Sequence, residues 1–471
     1  MRRIRTAVVV AAVSVLALSG PSWPAAAQSA VPPPVNPGLR PSTAEAAPYQ
    51  APSQVGPPVP VGECLGPAPR GGPTPGTVPA PQQRMRIEEA HEFATGRGQT
   101  VAVIDTGVAP HPRLAGRLVD GGDYVLDESG MSDCDGHGTV VAGIIAAAKD
   151  QSQGTGFVGV APDARILAIR QSSQFYQVET TDETDRTETQ APGDVSSLAE
   201  AVNRAVDTRG VTVINISEAA CFLPGTADDQ ALHDAVRYAA DRGVVVVAAA
   251  ANANDADADN PCRQNPEGGV QTLVSPARFD EDVLAVGATD VTNGEPAGFT
   301  ISGPWVDVAA PGTGIVSLDR DGEGLTDTLA YPDSERFPIQ GTSFATPYVA
   351  GVVALVRERF RNLSARQVIE RIERTAQHTA GPGGRDRTLG YGVIDPVAAL
   401  TDVLPGQGGA PALPEPVEPG RLQDFRLPIP EDPARRTVAF AGAGGGIAAL
   451  GVTVLTVFTV RRYRRSTPTQ R

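Results

Sequence analysis

The sequence predicts an α/β fold in which a mostly parallel sheet carries helices on both faces, with one transmembrane helix near the C-terminus. Two observations lead to this prediction. Between residues 100 and 403, short β-branched runs alternate with alanine-rich helical stretches, the rhythm of parallel strands joined by crossover helices. Residues 438–460 are uncharged and numerous enough to span a bilayer, and the arginine-rich end that follows is expected to stay in the cytoplasm.

Within this pattern we expect buried strands at residues 100–104, 165–168, 211–216, 244–250 and 283–287. Amphipathic helices are expected at residues 196–207 and 228–241, and helices of smaller residues at 140–148 and from Ser343 to about 359. An insert at residues 177–194 is acidic, rich in threonine and almost free of apolar side chains. It predicts a solvated surface loop, with recognition of a basic partner as the alternative.

The two ends of the chain predict export and anchoring. Residues 1–27 have the basic start, apolar run and small-residue end of a signal peptide, with an uncleaved anchor as the alternative. Residues 28–83 form a proline-rich extension that we expect to be extended, ahead of a main domain at 84–403. A proline- and glycine-rich spacer (404–436), a transmembrane helix (437–460) and a basic cytoplasmic tail (461–471) follow. A buried glycine-rich helix is the alternative for 437–460. We therefore expect a single-pass protein of the cell membrane whose main domain is extracytoplasmic.

Charge and cysteine content limit the partners. The formal net charge is −15 although both ends are basic, so the exported part is strongly acidic and nucleic acid is not an expected partner. Four cysteines lie in the exported part, which allows two disulfides in three connectivities. The cysteines show no metal-binding spacing, and we expect neither a metal site nor a cofactor.

Three short motifs carry the chemistry. Asp105 ends an apolar strand, His137 stands between two glycines at the start of a helix, and Ser343 begins another helix. Each residue alone fits an ordinary turn or helix cap. Together they supply what an activated serine needs, because a weak hydroxyl nucleophile requires a base and the base requires a group that fixes its tautomer.

These requirements assign a role to each residue. We expect Ser343 to be the nucleophile, His137 the base and Asp105 the residue that orients it. The oxyanion requires hydrogen-bond donors, for which we name the backbone N–H of Ser343 and the side chain of Asn252. Asn254 is the alternative to Asn252, and sequence spacing does not separate the two.

The motifs, in their order along the chain, resemble the three signatures of subtilisin-like serine proteases, and the resemblance covers about residues 84–403. It implies a subtilisin-like fold and a serine endopeptidase that cleaves protein or peptide substrates through an acyl-enzyme. In that family two segments line the substrate cleft. On this sequence they correspond to Ser217, Glu218, Ala219, Ala249 and Ala250. Ala251 departs from the pattern, since the family usually has glycine before the oxyanion asparagine.

The wider architecture is similar to that of the mycosins, the proteases of actinobacterial type VII secretion systems. This resemblance implies cleavage of exported proteins, contacts with membrane components of the secretion system, and an N-terminal extension that wraps the catalytic domain. A scaffold whose proteolysis is dispensable is the alternative function, and an esterase or amidase acting with the same triad is a third.

The cysteines also have a predicted pairing. Cys64 lies in the extension and Cys134 stands three residues before His137, so a bond between them would hold the extension beside the active site. We therefore predict that Cys64 pairs with Cys134 and Cys221 with Cys262.

Overall fold

The structure, a computed structural model, describes residues 54–67, 77–149, 155–181, 187–256, 260–322, 324–332, 334–407, 456, 457 and 459. Its strands are β1 (Gln54–Pro60), β2 (Thr100–Asp105), β3 (Leu118–Asp123), β4 (Arg165–Arg170), β5 (Tyr176–Thr181), β6 (Thr187–Gln190), β7 (Val211–Ile216), β8 (Ala220–Phe222), β9 (Val245–Ala249), β10 (Leu273–Ser275), β11 (Val283–Thr289), β12 (Val308–Pro311), β13 (Ser317–Leu318), β14 (Leu325–Thr326), β15 (Thr328–Leu329) and β16 (Phe337–Pro338). Its α-helices are α1 (Ala80–Arg84), α2 (Ile87–Ala90), α3 (His137–Ala146), α4 (Val195–Asp207), α5 (Gln230–Asp241), α6 (Thr342–Arg359), α7 (Ala365–Thr375) and α8 (Pro396–Thr401). Two 3₁₀ turns lie at Pro112–Leu114 and Pro382–Gly384.

The central sheet has seven parallel strands in the order β12-β11-β9-β7-β2-β4-β3 within the described residues. Five of them are the strands predicted from the apolar runs, with ends that differ by a few residues. The two outermost strands, β3 and β12, were not predicted. β12 has only four residues. β3 contains glycines and acids, so its pairing with β4 is decided by tertiary contacts and not by propensity.

Helices cover both faces of the sheet, as predicted. Val101 and Val103 of β2 point into one apolar core with α3 and α6, whereas Ala102 and Ile104 point into a second core with α4 and α5. This division follows from the period of two along a strand. Since both faces are buried, every residue from Val101 to Asp105 is buried, and the strand reads as a continuous apolar run that ends on an acid.

The prediction of a solvated loop at residues 177–194 is wrong in part. About half of the insert lies in β5 and β6, which pair antiparallel with each other, and β1 of the N-terminal extension pairs antiparallel with β5. Threonine is a good strand former, and backbone pairing with a distant segment requires no apolar side chains. The partner strand lies more than 100 residues earlier in the chain, where no local pattern could reveal it.

After β1 the extension continues along the main domain toward α3. The Val61 N–H donates to the Phe175 carbonyl at 3.0 Å, and the Leu65 N–H donates to the Cys134 carbonyl at 2.9 Å. Leu65 is buried. The structure joins Cys64 to Cys134 and Cys221 to Cys262, with Cα–Cα distances of 4.6 and 5.2 Å, which is the predicted pairing. The extension therefore packs against the segment that precedes His137.

The predicted signal peptide (1–27), most of the spacer (404–436) and the basic tail (461–471) lie outside the described residues, as does nearly all of the predicted transmembrane helix at 437–460. Within the part of the chain that the structure describes, no helix combines the length and apolar character needed to cross a membrane.

Candidate active site

The carboxylate of Asp105 lies fully buried at the carboxyl end of β2. Its Oδ1 accepts hydrogen bonds from His137 Nδ1 at 2.7 Å and from the Thr106 N–H at 2.8 Å. Its Oδ2 is also buried and has no hydrogen-bond partner among the described residues. The contact with Nδ1 leaves Nε2 as the nitrogen of the imidazole that can exchange a proton with another group.

His137 is the first residue of α3, and glycines on both sides allow its placement. Gly136 caps the helix with φ = 80°, a left-handed conformation that glycine adopts without strain. A Cβ at Gly138 would lie 1.9 Å from the Gly107 carbonyl oxygen and 3.0 Å from Asp105 Oδ1. Any side chain at Gly138 would therefore push the histidine loop away from the end of β2.

Asp133 holds this loop in place, although no motif marked it in the sequence. The carboxylate is buried and accepts hydrogen bonds from five donors. They are Thr106 Oγ1, the Asp135 N–H, the Gly136 N–H, the Thr139 N–H and Thr139 Oγ1, at distances of 2.5 to 3.1 Å. The only signal in the sequence was that two acids, Asp133 and Asp135, stand just before the Gly-His-Gly motif. Acids are too common in loops for this to indicate a role.

Ser343 is the second residue of α6, where backbone N–H groups have no acceptor within the helix. The next residue, Phe344, packs its ring against the imidazole of His137 with 4.8 Å between centroids. The two predicted catalytic segments are thereby brought together, even though 206 positions separate them in the printed numbering.

The backbone of Ser343 is tied to the segment that follows β7. Pro347 lacks the N–H that would bond to the carbonyl four residues earlier, which is that of Ser343. Ser217 Oγ takes this place and donates to the Ser343 carbonyl at 2.8 Å, while Asn215 Nδ2 donates to Ser217 Oγ at 2.9 Å. Because Pro347 leaves the Ser343 carbonyl without a partner in the helix, this carbonyl can accept the hydrogen bond from Ser217 in the predicted cleft segment.

The side chain of Asn252 also lies against the start of α6. Its Oδ1 accepts a hydrogen bond from the Thr342 N–H at 2.9 Å, which turns Nδ2 to the other side. A Cβ built on Gly341 would lie 3.2 Å from this Nδ2 and 3.5 Å from Ser343 Oγ, so both groups border the same space. For Asn254, the backbone N–H donates to the Cys262 carbonyl at 2.8 Å.

Ala251, the departure from the family pattern, has φ = 64°. This is the left-handed region, which costs about 1 kcal/mol for a residue with a Cβ. The usual glycine is therefore explained by the backbone, and alanine keeps the same turn at some cost.

The predicted cleft residues fall into two groups. Ser217, Glu218 and Ala219 lie between β7 and β8, beside the start of α6. Ala249 and Ala250 have buried side chains, and the Ala250 N–H already bonds to the Val286 carbonyl. Their side chains therefore belong to the core.

Comparisons with known proteins identify the family of the chain. A model of the subtilase family matches residues 96–392. Mycosin-4 of Mycobacterium tuberculosis is 44% identical over 384 residues, which cover 79% of this chain and 80% of the relative. The chain belongs to the mycosin group of the subtilase family. It is a serine protease.

Solved structures place this mycosin in the same group. A structure of the MycP3 protease from the type VII (ESX-3) secretion system is 40% identical with a TM-score of 0.68, and covers 79% of this chain and 99% of that one. A chain in the structure of an intact ESX-5 inner membrane complex is 36% identical with a TM-score of 0.69, and covers 91% of this chain and 99% of that one.

The site of this mycosin is rich in acids. Burial lowers the pKa of His137, but the charge and hydrogen bond of Asp105, together with the charges of Glu218 and Asp133, outweigh it and raise the pKa to about 9. Burial and the neighbouring Asp133 raise the pKa of Asp135 to about 7. Burial and the charge of Asp105 also raise the pKa of Glu218.

One group of side chains in the described part of the mycosin has the spacing to hold a metal ion. It consists of Asp105, His137 and Glu218. Each offers one ligand atom, and these three atoms lie within 4.8 Å of one another. Two of these side chains, Asp105 and His137, already contact each other through the hydrogen bond between Oδ1 and Nδ1.

Proposed function

We propose that this mycosin is an endopeptidase that cleaves exported proteins with Ser343 as nucleophile, His137 as base and Asp105 as orienting residue. The observation that carries the proposal is the 2.7 Å contact of Asp105 with His137 Nδ1, together with the packing of Phe344 on the imidazole ring. The contact with Asp105 fixes the tautomer of His137. The packing of Phe344 keeps the imidazole close to Ser343, the residue just before Phe344.

The chemistry follows from these positions. His137 Nε2 takes the proton of Ser343 Oγ, which attacks the carbonyl carbon of the scissile peptide bond. Asn252 Nδ2 and the Ser343 N–H donate to the developing oxyanion. His137 then returns the proton to the leaving amine, which leaves an acyl-enzyme on Ser343. Water, activated by the same histidine, releases the second product.

Peptide hydrolysis by the purified exported part tests this assignment. We expect cleavage of an unfolded protein that a serine-directed sulfonyl fluoride blocks, and no cleavage by Ser343→Ala. Ser196→Ala is the matched control, because Ser196 is exposed at the start of α4. Full hydrolysis by Ser343→Ala would refute the role of Ser343.

We also propose that the chain works at the membrane of a type VII secretion system, anchored by residues 437–460 with the protease domain outside the cytoplasm. Two relatives of known structure support this, since their chains are parts of ESX-5 inner membrane assemblies. The uncharged stretch before the arginine-rich tail supports the anchor and its orientation. An anchor raises the effective concentration of the protease near proteins that leave the membrane.

A structural role in the secretion complex is a second function, favoured by the same ESX-5 assemblies. Ser343→Ala removes one hydroxyl and should leave the surface intact, whereas deletion of residues 438–471 releases a domain with its triad intact. We expect the first variant to secrete without cleavage, and the second to secrete poorly while still hydrolysing peptides. Equal secretion by the wild type and the deletion variant would refute the structural role.

A further inference from the structure

Glu218 brings a second carboxylate to the contact between Asp105 and His137. One oxygen of Glu218 lies within 4.8 Å of an oxygen of Asp105 and of a ring nitrogen of His137. Ser172, two residues after the end of β4, holds the carboxylate by donating from Oγ to Oε1 at 3.2 Å. Glu218 is half-buried, so solvent screens its charge only in part.

The surroundings of His137 contain an excess of acids. Asp105 faces it from β2 and Glu218 from the segment after β7, and the charge of Asp133 acts on it from its own loop. Asp135 also lies in this loop, but its carboxylate accepts hydrogen bonds from Ser173 Oγ and the Gln174 N–H. Within the described residues no arginine or lysine forms an ion pair with Glu218.

Two further groups face this cluster. Tyr331, from the loop between β15 and β16, lies close enough for the charges of Glu218 and Asp135 to add to the burial that raises its pKa. Arg320, after β13, passes Gly136, but its guanidinium donates to the Leu65 carbonyl and lies 3.7 Å from Asp321. The charge of Glu218 is therefore left to act on His137.

We propose that Glu218 is a positioning residue that acts through His137. Its carboxylate charge favours the imidazolium form of His137 and so sets the pH above which His137 can act as the base. The proposal rests on the proposed function of His137. It makes Glu218 a restraint on the protease near neutral pH, because neutralising its charge increases the fraction of His137 that is free to accept a proton from Ser343.

The direction of the effect follows from electrostatics. A negative charge 4 to 6 Å from a titrating group favours its cationic form by about one pH unit or more. Burial lowers the pKa of His137, while Asp105, Glu218 and Asp133 raise it. Asp105 is required for the tautomer, and Asp133 holds the loop through five hydrogen bonds. Glu218 is thus the acid whose charge can be removed with the least effect on the geometry.

The test measures the pKa of His137 directly by NMR of histidine-labelled full-length chain in detergent, which is practicable because the chain has five histidines. Glu218→Gln keeps the shape of the side chain and removes its charge, and we expect the pKa of His137 to fall by about one unit. Glu267→Gln, at an exposed glutamate, is the control and should leave the pKa unchanged. An unchanged pKa in Glu218→Gln would overturn the proposal.

Two more readouts keep the test decisive. If Glu218→Gln did not fold, a pKa near 6.5 for His137 in the wild type would refute the proposal on its own. Where the variant folds, the pH profile of kcat/KM should move down by the same amount, and Glu218→Asp, which keeps the charge, should restore most of the wild-type profile. The NMR titration does not require turnover, so it still reports on Glu218 if the catalytic roles proposed above are wrong.

Discussion

His137 Nδ1 lies 2.7 Å from Asp105 Oδ1, although 32 positions separate the two residues in the sequence. The contact arises because β2 ends on a buried acid and α3 begins with the histidine. Gly138 allows this approach, since any Cβ there would meet the Gly107 carbonyl. The pair therefore depends as much on the small residues around it as on the acid and the base.

Asn252 should be the side chain that stabilises the oxyanion. Its Oδ1 is engaged by the Thr342 N–H, which directs Nδ2 toward the space beside Ser343 Oγ. We expect Asn252→Ala to lower kcat by about 10² to 10³ with little change in KM, as is typical for loss of one oxyanion donor. Steady-state kinetics with Asn254→Ala as the control provide the test. A large loss in Asn254→Ala with a silent Asn252→Ala would reverse the assignment.

The activity should be highest in alkaline solution. His137 accepts a proton from Ser343 only when it is neutral, and its pKa is raised to about 9. Below that pH the neutral fraction falls about tenfold per unit, and kcat/KM of the free enzyme should fall with it. The measurement is a pH series of kcat/KM with a neutral peptide substrate. A plateau that already begins near pH 7 would contradict the raised pKa.

Asp133 should be essential for the histidine loop without taking part in catalysis. Asp133→Asn replaces one acceptor oxygen by an amide that faces donors, and leaves buried N–H and O–H groups without partners. The expected cost is about 2 kcal/mol or more of the free energy of unfolding, together with reduced kcat. Urea denaturation and kinetics measure both. Asp228→Asn, at an exposed aspartate, is the control and should change neither the free energy of unfolding nor kcat. If Asp133→Asn also had no effect, the histidine loop would not depend on the Asp133 carboxylate.

The disulfide between Cys64 and Cys134 should stabilise the domain by lowering the conformational entropy of the unfolded chain. It closes a loop with a sequence separation of 70, for which chain entropy gives about 4 kcal/mol. We expect the double variant Cys64→Ala with Cys134→Ala to lose a comparable amount in urea denaturation under oxidising conditions. The reduced wild type, with Cys221 and Cys262 also open, should be less stable still. A loss below about 1 kcal/mol would mean that the extension contributes little through this bond.

Local sequence patterns predicted five of the seven strands of the main sheet and the covering helices, because buried parallel strands are continuous apolar runs and α4 and α5 are strongly amphipathic. They failed at β1, β5 and β6. That sheet is made by pairing between the extension and an acidic insert, and no short-range pattern contains that information. The transmembrane helix at 437–460 stays a prediction.

The site was predictable to the extent that it follows motifs. Asp105, His137 and Ser343 stand in recognisable contexts, and the structure brings their segments together. The role of Asp133 depends on five donors that converge from three residues of its own loop and from Thr106 in another segment. The electrostatic effect of Glu218 depends on a distance of a few ångströms. Neither quantity can be obtained from residue spacing along the chain.

The proposed mechanism makes Ser343 the one serine whose hydroxyl is activated. The most direct test treats the purified exported part with a fluorophosphonate and locates the adduct by mass spectrometry after digestion. We expect a single stoichiometric adduct on Ser343, formed faster as the pH rises toward 9 and abolished by His137→Ala. An adduct on another serine, or equal labelling of His137→Ala, would contradict it.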